Sequence, residues 1–141
     1  KNMDHGLWDH GIFQAYSVND TIYISGQFSY DEKGMFIGAD NIELQTQDAL
    51  NIDRALEGLG VTKSNLAYVK IYLTNAEEHS ALAIELFKDY LEQHRPAGSL
   101  ISVTDLAFPE QLIEISAIAT PTKVGSKNTF FYVSTLLKSA Y

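Results

Sequence analysis

The spacing of apolar and polar residues predicts several short strands. Residues 68–73 alternate strictly, with Val69, Ile71 and Leu73 on one face, which is the period-two pattern of a strand with one buried side. Short apolar runs at 22–25, 99–103 and 112–120 predict three more strands. Asn19-Asp20 and the stretch 31–34 are typical of hairpin turns, so the first forty residues are predicted to form a β meander that ends in a strand at 35–37.

Two amphipathic helices are predicted between the strands. The first is expected to start at the capping pair Asp40 and Glu43 and to stop at Gly58 and Gly60; its apolar residues recur at helical spacing, at Ala49, Ile52, Leu56 and Leu59. The second is expected to start at the similar pair Thr74 and Glu77, and its apolar face consists of Ala83, Leu86, Phe87, Tyr90 and Leu91.

The order βββ-α-β-α-ββ predicts an α+β fold, with a mixed six-stranded sheet and two helices packed on one face. Two helices cannot cover both faces of such a sheet, so something else must cover the second face. Tyr68 and Tyr72 point to that side. They indicate either the core of an interface between subunits or ordinary cross-strand pairs at a solvated surface, and we keep both interpretations open.

Composition narrows the classes of function. The chain has 141 residues, a formal net charge of −8 and no cysteine. Zero cysteine excludes disulfide frameworks and thiolate chemistry, and the acidic balance disfavours nucleic acid and anionic membranes as partners. The first eleven residues contain no apolar stretch of signal-peptide length, and no window approaches the ~20 apolar residues of a membrane span. We expect an acidic cytoplasmic protein of one compact domain.

Few residues suggest chemistry by themselves. The four histidines are scattered, which predicts no metal site, and no glycine-rich loop suggests a nucleotide. Glu114 is the exception, because it lies in a largely apolar strand where a carboxylate must be paired at an interface or held for proton transfer. Ser25-Gly26 ends a strand, where glycine either exposes N–H groups to a small anion or forms a bulge.

Four segments together resemble the RidA/YjgF family, also labelled endoribonuclease L-PSP or translation initiation inhibitor. They are Ile-Tyr-Ile-Ser-Gly-Gln at 22–27, Val-Lys-Ile-Tyr-Leu-Thr at 69–74, Arg-Pro-Ala at 95–97 and Ile-Glu-Ile-Ser-Ala-Ile-Ala at 113–119. The resemblance spans about residues 8 to 120. It implies a chorismate-mutase-like, RidA-like fold, a homotrimer with ligand clefts between subunits, and cofactor-independent hydrolysis of enamines and imines such as 2-aminoacrylate.

The sequence departs from the family pattern where the substrate is expected to bind. The arginine that would clamp the substrate carboxylate is replaced by Gly98, the N-terminal tyrosine by Ile12, a helix asparagine by Ile84 and an occasional cysteine by Leu100. A charge-assisted pair to a carboxylate contributes about 1.5–3 kcal/mol, which glycine cannot supply. Glu114, Ser25 and Gly26 match the family. We take these seven positions as the candidate site, with Glu114 as the candidate catalytic residue.

The predicted function is therefore a RidA-family homotrimer that binds a small metabolite, such as an imino or 2-oxo acid, in clefts between subunits. It is predicted to lack standard 2-aminoacrylate deaminase activity, cofactors and metals. The alternative is a divergent enamine or imine deaminase that uses Glu114 to position water; charge and histidine content disfavour ribonuclease activity.

Trp8, Phe13 and Tyr16 either line a pocket for a larger or neutral ligand or pack the N-terminus. We expect one domain at 1–120 and a C-terminal extension at 121–141, either an added strand or a docking tail.

Overall fold

A computed structural model describes residues 12–121 as an α+β fold around one mixed sheet of five strands. The strand order across the sheet is β1-β2-β5-β3-β4. The strands are β1 Ala15–Val18, β2 Thr21–Gln27, β3 Leu66–Thr74, β4 Ala97–Val103 and β5 Ile113–Ala119. The helices are α1 Ile42–Ala49, α2 Asp53–Gly58 and α3 Ala76–Leu91, and a 3-10 turn at Lys63–Asn65 precedes β3.

The sheet is mixed because α3 carries the chain back across it. β3 and β4 are parallel and are joined by α3, as a crossover between parallel strands requires. β5 lies between β2 and β3 and is antiparallel to both. The β1–β2 hairpin closes at Asn19 and Asp20, whose φ values of 48° and 64° belong to the left-handed region predicted for this turn.

The helices lie on one face of the sheet and bury its apolar side chains. Val69, Ile71 and Leu73 are buried, as their alternation predicted, and so are Ile113 and Ile115 of β5. Buried residues of the helical layer complete this core, namely Ala49, Ile52, Ala55, Leu56, Ala83 and Leu91. The opposite face of the sheet carries no helix within residues 12–121.

The strand predicted at residues 35–37 does not form. The prediction of six strands is therefore wrong for the described residues, whose sheet has five. The turn at 31–34 forms, because the Asp31 carboxylate accepts the N–H groups of Lys33 and Met35. Residues 35–37 then contribute only one bridge, between Tyr30 and Phe36. Gly38 at a φ of 99° ends the extended backbone immediately afterwards, before more ladder can form.

Both predicted helix starts need correction, and the first helix is interrupted. Asn41, not Asp40, caps α1, because its side chain accepts the Leu44 N–H at 3.0 Å. The chain leaves the helical ladder after α1 and restarts as α2, which ends near Gly60 at a φ of 76°. Thr74 is the last residue of β3 and caps nothing; α3 starts after Asn75, which makes no side-chain capping bond.

Tyr90 ties α3 to α2 on the helical side. Its hydroxyl donates to the Asp53 carboxylate, and the Lys63 ammonium lies 4.8 Å from the ring centroid. Burial, together with the hydrogen bond and charge of Asp53, raises the pKa of Tyr90 far above its ordinary value. The hydroxyl therefore stays neutral and keeps the two helices joined.

Two sequence expectations fall on residues that the structure does not describe. Trp8, and the extension expected to begin at 121 apart from Pro121 itself, lie outside residues 12–121. Among the helices that are described, none combines the length and apolar character needed to cross a membrane.

Candidate functional site

The helix-free side of the sheet, called the open face below, presents a row of large side chains. Cross-strand register places Tyr16 opposite Tyr23, Tyr23 opposite Ile118, and Ile118 opposite Tyr68. Tyr16 and Tyr23 are 60% and 49% exposed in the single chain. Exposed apolar and aromatic surface of this kind is typical of interaction sites.

The open face also holds the two charged residues of the strands. Among all five strands, Glu114 is the one acid and Lys70 the one base. Glu114 lies opposite Tyr72, and Lys70 lies opposite Ser116, so the two charges are diagonal neighbours about 7 Å apart at Cα. Within residues 12–121 Lys70 forms no ion pair, and no cluster of three or more His, Asp or Glu is arranged for a metal ion.

A bulge in β2 makes room for the Glu114 carboxylate. The register between β2 and β5 shifts between Ile24 and Gln27, which leaves Ser25 and Gly26 as the irregular pair. A Cβ atom at Gly26 would lie 2.2 Å from Oε2 and 2.6 Å from Cδ of Glu114, closer than real Cβ contacts. Glycine is therefore required here for Glu114 to lie where it does, and we call this space the carboxylate notch.

A hydrogen bond from Gln111, in the loop before β5, holds the other carboxylate oxygen of Glu114. Gln111 Nε2 donates to Glu114 Oε1 at 3.2 Å and to the Ile113 carbonyl at 3.2 Å. Gln111 is only 1% exposed, whereas Glu114 is half-buried. The carboxylate is thus partnered on one side and packed on Gly26 on the other.

Ser25 shapes the bulge through bonds to the chain before β1. Its Oγ donates to the Phe13 carbonyl at 2.6 Å, and its N–H donates to the Gln14 carbonyl at 2.9 Å. The register shift confirms the bulge interpretation of Ser25-Gly26, and the Ser25 N–H is hydrogen-bonded within the chain. Ile12 adjoins Phe13 and is 68% exposed, so it stays near the bulge without being packed.

Gly98 and Leu100 lie away from Glu114 in one chain. Gly98 is level with Val69 on the edge strand β4, about 14 Å from Glu114 by standard strand spacing and rise. The Tyr68 hydroxyl hydrogen-bonds Ser99 Oγ at 2.6 Å on the open face. Because successive residues of a strand alternate between faces, Gly98 and Leu100, which flank Ser99, lie on the helical face. A Cβ at Gly98 would lie 2.7 Å from the Val69 carbonyl oxygen, which explains glycine at this position.

The other candidates are also separate from the notch. Ile84 is exposed on α3. Arg95 is the arginine nearest in sequence to Gly98, and it donates to the carbonyls of Glu92 and His94. One chain therefore brings together Glu114, Gly26 and Ser25, with Ile12 beside them, and leaves Gly98, Leu100 and Ile84 apart.

Sequence reasoning missed Gln111 and Lys70. Gln111 is a polar residue three positions before the strand glutamate, a spacing that carries no known motif. Lys70 could have been noticed as the single base among the predicted strands, two residues from Tyr72 and on the same face.

Comparison with known proteins points to one family. A family described as Endoribonuclease L-PSP matches residues 10–121. Among solved structures, the chain is similar to YyfA of Yersinia pestis, a protein of unknown function of the conserved Rid family, at 31% identity over 80% of this chain and 90% of that one, with a TM-score of 0.74. It is also similar to Rv2704 of Mycobacterium tuberculosis, of the YjgF/YER057c/UK114 family, at 28% identity over 79% and 87%, with a TM-score of 0.69. Yeast YEO7 matches at 25% identity over 78% and 86%, with a TM-score of 0.69.

Proposed function

We propose a small-molecule-binding function for this chain, which belongs to the endoribonuclease L-PSP family, also called the RidA/YjgF family. The chain acts as a homotrimer, and each site binds a small 2-oxo or imino compound against Glu114. The bound compound is held rather than turned over, so the protein does not accelerate 2-aminoacrylate hydrolysis. No cofactor takes part.

The observation that carries this proposal is the carboxylate notch. Gly26 gives space to Glu114 on the open face, and Gln111 occupies one carboxylate oxygen. A carboxylate built into place in this way accepts a hydrogen bond from an N–H or O–H group of a ligand or water. Its position next to Tyr72 and the bulge supplies a partly apolar wall for a small molecule.

The ligand is expected to carry little negative charge where the family clamp would hold a carboxylate. Gly98 offers no cation there, and Arg95 is engaged with backbone carbonyls. Arginine cannot simply be restored, because its Cβ would lie 2.7 Å from the Val69 carbonyl unless β4 shifts. We therefore expect an uncharged amide such as 2-oxobutanamide to bind more tightly than the anion 2-oxobutanoate.

The homotrimer is supported by two observations, one on the open face and one on the separation of Gly98 from Glu114. No helix among residues 12–121 covers the row of Tyr16, Tyr23, Ile118 and Tyr68 on the open face. Gly98 and Glu114 are too far apart to contact one ligand from the same subunit. Packing of the open faces in a trimer buries the aromatic row and lets positions from neighbouring subunits approach one cleft.

The proposal is tested by adding the purified protein to freshly generated 2-aminoacrylate. We expect the decay rate to equal the spontaneous rate, because no guanidinium holds the substrate carboxylate. Faster decay that persists in the Glu114→Ala variant would indicate a contaminant or a different site. Faster decay that disappears in Glu114→Ala would contradict the binding proposal and support the alternative below.

The alternative is a divergent enamine or imine deaminase, and one observation favours it. Lys70 lies diagonal to Glu114 and is unpaired within the described residues, so it could hold a substrate carboxylate while Glu114 orients water. In that case Lys70→Met would abolish turnover. Lys63→Met is the matched control, because Lys63 is bound to Glu92 on the helical side.

A further inference from the structure

We propose that Gln111 is a positioning residue that holds the Glu114 carboxylate in one orientation above Gly26. The inference rests on the proposed function, because it assumes that Glu114 is the residue that meets the ligand. It adds that the loop before β5 sets which carboxylate oxygen is free for the ligand to approach.

The hydrogen bonds of Gln111 fix the orientation of its amide. The two Nε2–H groups donate to the Ile113 carbonyl and to Glu114 Oε1, both at 3.2 Å, and Oε1 of Gln111 accepts the Phe108 N–H at 3.4 Å. A flipped amide would turn its carbonyl oxygen toward two acceptors and its donors toward an N–H group. At 1% exposure, no solvent can compensate for those losses.

Gln45 of α1 holds the backbone on both sides of Gln111. It is fully buried, its Nε2 donates to the Glu110 carbonyl at 2.9 Å, and its Oε1 accepts the Leu112 N–H at 2.8 Å. The backbone that carries Gln111 is therefore anchored to the helical layer. A buried, fully hydrogen-bonded side chain on an anchored backbone can place the Glu114 oxygen within narrow limits.

Without the Gln111 N–H donor, Lys70 competes for the Glu114 carboxylate. Lys70 lies diagonally across β3 and β5, and a released carboxylate could rotate out of the notch toward its ammonium. Gln111 stabilises the arrangement in which Oε1 is satisfied by a neutral amide and Oε2 lies over Gly26. A ligand then meets a carboxylate that is already in place, which lowers the cost of ordering it on binding.

The test compares Gln111→Met, which keeps an unbranched side chain but removes the donors, with Gln111→Glu, which keeps the shape and an acceptor for Phe108. Crystal structures report where the Glu114 carboxylate lies, and calorimetry reports the dissociation constant of 2-oxobutanamide. Asn65→Leu is the matched control, because Asn65 is a buried amide that bonds Thr62 and Pro121 at the opposite end of β3.

We expect both Gln111 variants to show Glu114 displaced from Gly26, and binding weakened roughly tenfold, the scale of one hydrogen bond. Asn65→Leu should lower the melting temperature without changing the dissociation constant. In a Glu114→Ala background, Gln111→Met should have no further effect on binding, which a merely structural role would not predict.

The inference would be overturned if the Glu114 carboxylate keeps its position in both Gln111 variants, or if Gln111→Met weakens binding equally with and without Glu114. If the wild type does not bind 2-oxobutanamide, the proposed function fails, and the Glu114 position still decides the role of Gln111.

Discussion

Gly26→Ala is expected to weaken ligand binding by roughly one to two orders of magnitude while leaving the protein folded. The added Cβ would lie 2.2 Å from Glu114 Oε2, 2.6 Å from Cδ and 2.9 Å from Cγ, so the whole carboxylate must leave the notch. The side chain can rotate away, and Gly26 is not among the residues with positive φ, so alanine is compatible with the backbone. Loss of the hydrogen bond between ligand and carboxylate corresponds to about 1.5–3 kcal/mol, or roughly tenfold to a hundredfold in the dissociation constant of 2-oxobutanamide.

Gly60→Ala provides the matched control for a glycine substitution. Gly60 has a φ of 76° and nothing within 4 Å of its would-be Cβ. Alanine there should reduce the free energy of unfolding by about 1 kcal/mol through backbone strain, with unchanged binding. A Gly26→Ala protein that binds like the wild type would show that Glu114 in the notch does not contact the ligand.

Tyr23→Glu is expected to convert the proposed trimer into monomers. Tyr23 lies between Tyr16 and Ile118 in the row on the open face and is 49% exposed in one chain. In a trimer with packed open faces, the substitution would bury an unpaired carboxylate in every copy, at a cost of several kcal/mol each. Sedimentation velocity at micromolar concentration should report a particle of one third of the wild-type mass.

Leu44→Glu is the control for placing a charge on the surface. Leu44 is 41% exposed on α1, in the helical layer, so its substitution should leave the trimer intact. A wild-type protein that sediments as a monomer would contradict the proposed assembly. A Tyr23→Glu protein that stays trimeric would show that the open face is not the interface.

Much of the fold could be predicted because its signals are local. Alternation in β3 identified the buried side of the sheet, and the Asn19-Asp20 turn identified the first hairpin. The strand predicted at residues 35–37 does not form, and the reason is non-local. A short apolar stretch, residues 35–37, becomes a strand only if a neighbour offers it a ladder, and Gly38 ends the extension first.

The candidate site was only partly predictable, because its geometry depends on register and on a loop. Glu114 and Gly26 could be named from the family pattern, but their contact arises from a bulge in β2 that no spacing reveals. Gln111, the buried residue of an otherwise accessible loop, acts through a hydrogen bond, and Gly98 is separated from Glu114 by two strand spacings and three residues. The contact of Gly26 with Glu114 and the separation of Gly98 from Glu114 both depend on how the strands pair.

Binding of a small molecule against Glu114 is tested by titrating 2-oxobutanamide into the wild type and into Glu114→Ala, with each protein's mass checked by light scattering. We expect one ligand per chain for the wild type and a dissociation constant raised at least about tenfold in Glu114→Ala, with the same particle mass. Equal affinity in the two proteins, or no binding by the wild type, would contradict this expectation.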